Sequence, residues 1–247
     1  MHGLHYIFPR DCAAIALVMS SGLYERLTTI IFKRLVKQSS IVVDVGAGFG
    51  YYTLLAAKLI NGSGRVFAFE PEPVRYEFLL RNIYINAFTN VIAINKAISD
   101  KSGKADFFIR GEMSSLANHL DYKHRVTVET TSLDNYFKND SKIALIKMDI
   151  EGAEMRALAG METTLSKNRD LILIMEFAPN LLKAMGDQPE ELIKTLIGHE
   201  FKLYAIDELK SEIKRVDLID LVRKAREDKH YSVHLLCIRR NNLSKLV

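Results

Sequence analysis

Hydrophobic positions along this chain switch repeatedly between two periods. Residues 20–37 place Leu23, Leu27, Ile30, Ile31 and Leu35 at helical spacing, with Arg26, Lys33 and Lys37 on the other face, which predicts one amphipathic helix. Ile41-Val42-Val43-Asp44-Val45 is almost continuously apolar, as a strand covered on both faces must be. Glycines follow, then a helical stretch through Leu54, Leu55, Ala56 and Leu59 that Asn61-Gly62-Ser63-Gly64 ends. The same alternation gives a strand at 65–69, a helix at 73–86 and a strand at 91–94. Residues 105–109 and 126–130 alternate like short exposed strands, with a polar, mobile loop expected over 111–124. Beyond them come a strand at 143–148, a helix through Met155, Leu158 and Leu165, a strand at 171–177, a helix at 189–198, a strand at 201–206, a helix at 213–227 and a strand at 231–239. Strands alternating with helices predict an α/β chain, Rossmann-like and doubly wound, with a mainly parallel sheet. The pattern divides into an N-terminal helical segment, 1–40, and one domain, 41–247, a single domain overall.

Composition changes this picture little. The 247 residues are 48% hydrophobic and 26% charged, enough to bury a core without disulfides or metal. Lys and Arg number 34 against 30 Asp and Glu, and the cations are scattered rather than striped, so a nucleic-acid partner is not expected. Cys12 and Cys237 lie far apart with no C-x-x-C spacing, which fits reduced thiols in a cytoplasmic protein. The apolar run from Cys12 to Met19 is too short to span a bilayer and lacks the flanks of a signal peptide.

The first chemistry lies at Asp44-Val45-Gly46-Ala47-Gly48-Phe49-Gly50, between a buried strand and a helix. A doubly wound sheet binds adenosine-containing ligands at such a turn, where glycines let the backbone approach and helix N–H groups face a carboxylate or phosphate. A dinucleotide loop reads G-x-G-x-x-G, but Tyr51 stands where the third glycine would be. Asp44, two positions before the first glycine, would be misplaced beside a pyrophosphate and well placed beside a cationic α-amino group. Glu70 ends the next strand, followed by Pro71, and can accept from both ribose hydroxyls. Ala97 and Ile98 follow the third strand, where they can pack on an adenine. Together these residues predict S-adenosylmethionine as the cofactor, contacted by Asp44, Gly46, Ala47, Gly48, Glu70, Pro71, Ala97, Ile98 and Asp149. The bland alternative is that Asp44 and Glu70 merely solvate strand ends.

The run Ile146-Lys147-Met148-Asp149-Ile150-Glu151-Gly152-Ala153-Glu154 resembles the signature of the FkbM family of methyltransferases. That family joins a D-x-G-A-x-x-G-x-x-T-like loop, here Asp44 to Thr53, to a strand ending in K-x-D-x-E-G-x-E. Gly22-Leu23-Tyr24-Glu25, Phe69-Glu70-Pro71, Thr131-Ser132-Leu133-Asp134 and Leu173-Ile174-Met175-Glu176 are similar to it as well. The likeness covers about residues 20–180; Phe49 stands where the family often has a small polar or an aliphatic residue, and no family signature follows Met185. The resemblance implies the class I methyltransferase fold, with seven strands and an antiparallel last strand. It also implies O-methylation of a hydroxyl on a sugar or small metabolite. RNA or protein methylation, or a non-catalytic adenosine- or partner-binding module, are the alternatives.

Lys147 and Asp149 sit two apart on one strand and share a face near its carboxyl end. Glu151 and Glu154 start the next helix, where they either cap it and pair with Lys147 or serve chemistry. Methyl transfer to an alcohol needs orientation and a proton acceptor. Asp149, Glu151 and Glu176 are the candidate catalytic residues: Asp149 places the hydroxyl, and Glu151 or Glu176 is the base. The three carboxylates could also form a hard oxygen site for magnesium, although no metal is expected. His119, His124, Ser114 and Ser115 fall in the expected loop, which could close over the acceptor, and Tyr24 and Tyr51 could stack on a ligand.

Overall fold

A computed structural model describes residues 2–60, 63–110, 113–116, 124–138, 142–228 and 230–239. After a 3-10 turn at Arg10–Cys12 the elements are α1 (Ala13–Ser21), α2 (Arg26–Leu35), β1 (Ile41–Val45), α3 (Tyr51–Ile60), β2 (Arg65–Phe69), α4 (Pro73–Ile85), β3 (Val91–Ile94), β4 (Ala97–Ile98), β5 (Gly103–Arg110), β6 (Met113–Ser115) and β7 (His124–Thr131). They continue with α5 (Leu133–Tyr136), β8 (Ile143–Met148), α6 (Glu154–Ala159), α7 (Glu162–Lys167), β9 (Ile172–Phe177), α8 (Pro179–Ala184), α9 (Pro189–Gly198), β10 (Lys202–Asp207), β11 (Glu212–Arg215), α10 (Leu218–Glu227) and β12 (Val233–Ile238).

The main sheet runs β11-β10-β12-β9-β8-β1-β2-β3. β3, β2, β1, β8 and β9 are parallel, and the last strand, β12, inserts antiparallel between β9 and β10. The sheet has eight strands rather than seven, because β11 folds back on β10 as an edge hairpin. That hairpin also corrects the helix expected over 213–227, which starts only at Leu218, where Asp217 caps it. A second, four-stranded sheet, β4-β7-β5-β6, stands beside the first. It takes up the alternating strands at 105–109 and 126–130, and residues 113–115 of the expected loop form β6. Phe107, Phe108 and Val128 are buried in it, so these strands are less exposed than their alternation suggests.

The amphipathic stretch 20–37 divides in two. Gly22, at φ +78°, stops α1 in the left-handed conformation that favours glycine, and α2 begins at Arg26. Leu23 therefore points to solvent although its spacing suited a helix. A second break parts α6 from α7 at Gly160, where a Cβ would lie 2.1 Å from the Ser99 carbonyl oxygen. The motif Thr131-Ser132-Leu133-Asp134 has a structural task here: the Asp134 carboxylate accepts from the N–H groups of Thr163 and Thr164 and so ties α5 to α7.

Both faces of the main sheet are covered. Ile31, Phe32 and Leu35 of α2 pack with α3 on one face, and Leu158, Leu165, Leu182 and Leu196 on the other. Each such side chain contributes about 1.5–3 kcal/mol by leaving water. Among the described residues no single helix is long and apolar enough to cross a membrane. Going out from β1 through β2 to β3 and back to β8 makes a reversal of strand order between β1 and β8. The carboxyl edge there is the place where open α/β sheets bind ligands.

Candidate active site

Pairing brings four strand ends level at that edge: Val45 lies beside Phe69 and Met148, and Met148 beside Met175. Asp44, Glu70, Asp149 and Glu176 stand at these ends. One cavity is lined by Asp44, Gly46, Ala47, Gly48, Glu70, Pro71, Ala97, Ile98, Asp149 and Glu151, together with Lys147, Tyr24, Tyr51, Phe107 and Leu116. Every residue expected to touch the cofactor therefore faces one space. Glu176 does not; it lines a second cavity on the other side of Asp149 and Lys147.

The loop after β1 is set by backbone contacts. The N–H groups of Gly46 and Ala47 both donate to the Phe69 carbonyl oxygen, and the Asp149 N–H donates to that of Val45. Gly46 has φ +82°, and a Cβ on it would lie 1.9 Å from the Asp149 carbonyl oxygen, so only glycine fits. Buried Asp44 accepts from the Thr53 hydroxyl at 2.5 Å through Oδ2. Burial pushes its pKa up to about 6, a rise that the Thr53 hydrogen bond and the Lys147 charge partly offset. Glu70 accepts from the Gly48 N–H at 2.7 Å and the Glu72 N–H at 2.9 Å. Burial raises it as well, to about 6, against Arg75 and those two donors. Glu72 caps α4 by accepting from the N–H groups of Val74 and Arg75.

The end of β8 is electrostatically different. Lys147, 1% exposed, extends its ammonium to Asp149 Oδ2 at 3.2 Å and to His234 Nε2 at 3.3 Å. Burial disfavours its charge, but Asp149 and Glu25 outweigh that and hold its pKa above the ordinary lysine value. Burial likewise disfavours the Asp149 charge, and Lys147 and His234 reverse this, leaving Asp149 well below the usual carboxylate range. Glu25, Asp149 and His234 offer three ligand atoms within 4.8 Å of one another, the layout of a cation site. The Lys147 ammonium, within hydrogen-bond reach of two of them, provides that positive charge.

Asp149 is followed by a strained turn, with Glu151 at φ 54° and Gly152 at φ 100°. A Cβ on Gly152 would lie 2.5 Å from the Leu181 carbonyl oxygen. Burial and the Asp149 charge push Glu151 up to about 8. Glu154, in the first turn of α6, accepts from the Gly152 N–H rather than pairing with Lys147, and burial raises it to about 7. Glu176 is raised well above the carboxylate range by burial, then by Asp149 and Glu151. Glu154 Oε2 and Glu176 Oε2 are buried without a hydrogen-bond partner.

Two members of this cluster carried no chemical assignment in the sequence reading. Glu25 lies in the Gly22-Leu23-Tyr24-Glu25 motif, at φ 40° just before α2, and accepts from the Tyr52 hydroxyl at 2.7 Å. The α2 N-terminus is anchored by Glu208, whose carboxylate accepts from the N–H groups of Leu27 and Thr28 at 2.8 Å each. His234 belongs to no motif. It reaches the site because β12 runs antiparallel, which brings the start of that strand to the carboxyl edge, opposite Glu176. Of the loop residues, His119 lies outside the described residues, His124 is exposed at the start of β7, and Ser114 and Ser115 fall on β6. Tyr24 and Tyr51 line the first cavity and pack edge-on at 4.8 Å.

The sequence is 27% identical over 159 residues to the 2-O-methyltransferase NoeI of Sinorhizobium fredii, covering 56% of this chain and 64% of that protein. It is 27% identical over 131 residues to the hexuronic acid methyltransferase AglP of Haloferax volcanii, covering 52% and 53%. The chain thus spans less than two thirds of either relative. A structure described as a rRNA-methylase from Clostridium thermocellum superposes with a TM-score of 0.52 at 12% identity, over 85% of this chain and 92% of that one, a likeness of fold alone. The Methyltransferase FkbM domain matches residues 44–203. Because that match starts at the Asp44 carboxylate, takes in Glu70 and the whole of Lys147–Glu154, and runs on into β10, the chain belongs to the FkbM methyltransferase family.

Proposed function

We propose that this protein is an S-adenosylmethionine-dependent O-methyltransferase whose acceptor is a hydroxyl of a sugar or another small polyhydroxylated metabolite. The observation that carries this reading is the single cavity onto which Asp44, Glu70 and Asp149 all face. Its carboxylate acceptors and apolar walls suit the cofactor. Asp44 offers a carboxylate to the α-amino group, Glu70 offers two oxygens to the ribose diol, and Ala97, Ile98, Phe107 and Leu116 provide apolar walls for the adenine. S-adenosylmethionine supplies an electrophilic methyl on a sulfonium. The chain's own residues orient the acceptor beside it and hold the hydroxyl's proton. The two relatives named as a 2-O-methyltransferase and a hexuronic acid methyltransferase support a sugar as the acceptor.

The test uses methyl-labelled S-adenosylmethionine with p-nitrophenyl β-D-glucuronide and p-nitrophenyl β-D-glucoside, read by mass spectrometry. A methyl ether on either supports the reading. Cofactor binding that survives Asp44→Ala and Glu70→Ala unchanged removes the cofactor assignment.

A further inference from the structure

Helix α1, Ala-Ala-Ile-Ala-Leu-Val-Met-Ser-Ser, holds no charged residue, and its apolar side chains point outward as well as inward. Inward, Met19 is buried, and Ile15 and Met19 line the first cavity. Outward, Leu17 is 70% exposed and Val18 43%, and Leu23 in the turn that follows is 68% exposed. An open groove of about 530 Å³ runs between α1 and residues 4–8, lined by Leu4, Tyr6, Phe8, Ala16, Leu17 and Met19. A single exposed leucine is ordinary, but grouped apolar residues beside an apolar groove mark a contact surface.

The charge around this face points to one partner. Residues 1–40 hold five Lys or Arg against two Asp or Glu, so three of the chain's four net positive charges lie in this short stretch. Arg10, Arg26, Lys33 and Lys37 are exposed. Of the two acids, Glu25 is turned inward to the Tyr52 hydroxyl and His234. Lys58 donates to the carbonyl oxygens of His2 and Gly3 at 2.6 and 3.3 Å, which sets a further cation at the head of the segment that walls the groove. A second copy of the chain would bring these like charges together, which costs affinity. An anionic lipid surface offers phosphates to the cations and an acyl boundary to the leucines.

α1 can lie on such a surface but cannot cross it. Its nine residues make a helix about 14 Å long, half of a hydrocarbon core of about 30 Å. The next helix does not extend it, because the two meet at 62° and Ile31, Phe32 and Leu35 commit α2 to the sheet.

We propose that α1 and the turn after it form a docking face for an anionic lipid surface, with Leu17, Val18 and Leu23 entering the headgroup boundary and Arg10, Arg26, Lys33 and Lys37 meeting the phosphates. A helix is about 10 Å across, so docking brings the first cavity, walled by Ile15 and Met19, within one helix of the headgroups. Docking draws on no cofactor and so stands apart from the methyltransferase reading.

The sequence has no tryptophan, so Leu17→Trp introduces a single reporter. With mixed phosphatidylcholine–phosphatidylglycerol vesicles its emission should shift to the blue and be quenched by brominated acyl chains. Leu209→Trp, at the 98% exposed tip of the β10–β11 hairpin, should show neither change. The wild type should co-sediment with the mixed vesicles. Binding should fall about tenfold with phosphatidylcholine alone, and about tenfold with mixed vesicles in Lys33→Gln/Lys37→Gln. Leu17→Glu/Leu23→Glu should lose about tenfold or more while its denaturation midpoint stays near that of the wild type. A wild type that does not bind the mixed vesicles overturns the proposal. Equal binding to phosphatidylcholine alone overturns the anionic partner. A blue shift in Leu209→Trp in place of Leu17→Trp overturns the face. A blue shift in Leu17→Trp that grows with protein concentration without vesicles assigns the face to a second copy of the chain and overturns the lipid.

Discussion

Asp44 and Asp149 end neighbouring strands and face the same cavity, yet their surroundings push them in opposite directions. Asp44 is enclosed with one hydroxyl donor, and burial raises its pKa to about 6. Asp149 is held by an ammonium and an imidazole, and its pKa falls well below the carboxylate range. The difference lies in where the partners come from. Thr53 is nine residues from Asp44, on the helix that the glycine loop begins. Asp149 has Lys147 two residues away in β8 and His234 from the last strand of the sheet. The loop end is thus set by partners close in sequence, and the β8 end is a charge cluster that also draws on the last strand.

Gly46 joins the two, and Gly46→Ala should produce the largest effect. Its Cβ would strike the Asp149 backbone at a positive φ, so both regions must shift. Denaturant unfolding should show a loss of about 3 kcal/mol or more, and calorimetry should show no cofactor binding. Near-normal stability would mean that the two regions are not in rigid contact. Asp149→Asn comes next. It keeps the shape and removes the charge, so turnover should fall about a hundredfold while S-adenosylmethionine still binds. An equal loss of affinity would place Asp149 with the cofactor-holding region instead.

Glu70→Gln should do the reverse, weakening the cofactor about tenfold with kcat at saturation preserved. The smallest effect concerns protons. Ionised Asp44 suits a cationic amino group, so cofactor affinity should rise about fourfold from pH 5.5 to 7.5 as a group titrating near 6 ionises. Unliganded stability should move the other way. A carboxyl whose pKa is higher folded than its ordinary 3.8 stabilises the fold below about pH 4 and loses that contribution as pH rises through about 6. Asp44→Asn should flatten both curves relative to wild type.

The fold was largely legible because each βα unit carries its own period. The misreadings arose from one local helix stop and from long-range strand pairing that periodicity does not carry. The helix placed over 20–37 ignored Gly22, whose left-handed φ outweighs the leucine spacing. The helix placed over 213–227 absorbed β11, a four-residue edge strand that exists because β10 is there to pair with it. Periodicity reads 105–109 and 126–130 as short exposed strands, whereas they pair antiparallel in a second sheet that supplies Phe107 to the cavity wall.

What the sequence determined by itself is the strand-end chemistry. Asp44 before a glycine turn, Glu70 before Pro71, and Lys147 with Asp149 on one strand face are short-range facts, fixed by the direction of a strand and the freedom of glycine. What only tertiary structure decided is which charges meet them. Glu25 is placed by Glu208, 183 residues away, which anchors the helix that follows it. His234 reaches Lys147 because β12 enters the sheet antiparallel, presenting its first residues at the edge where the parallel strands present their last. A lone histidine on a terminal strand carries no local signal of that direction; the sheet supplies it by pairing.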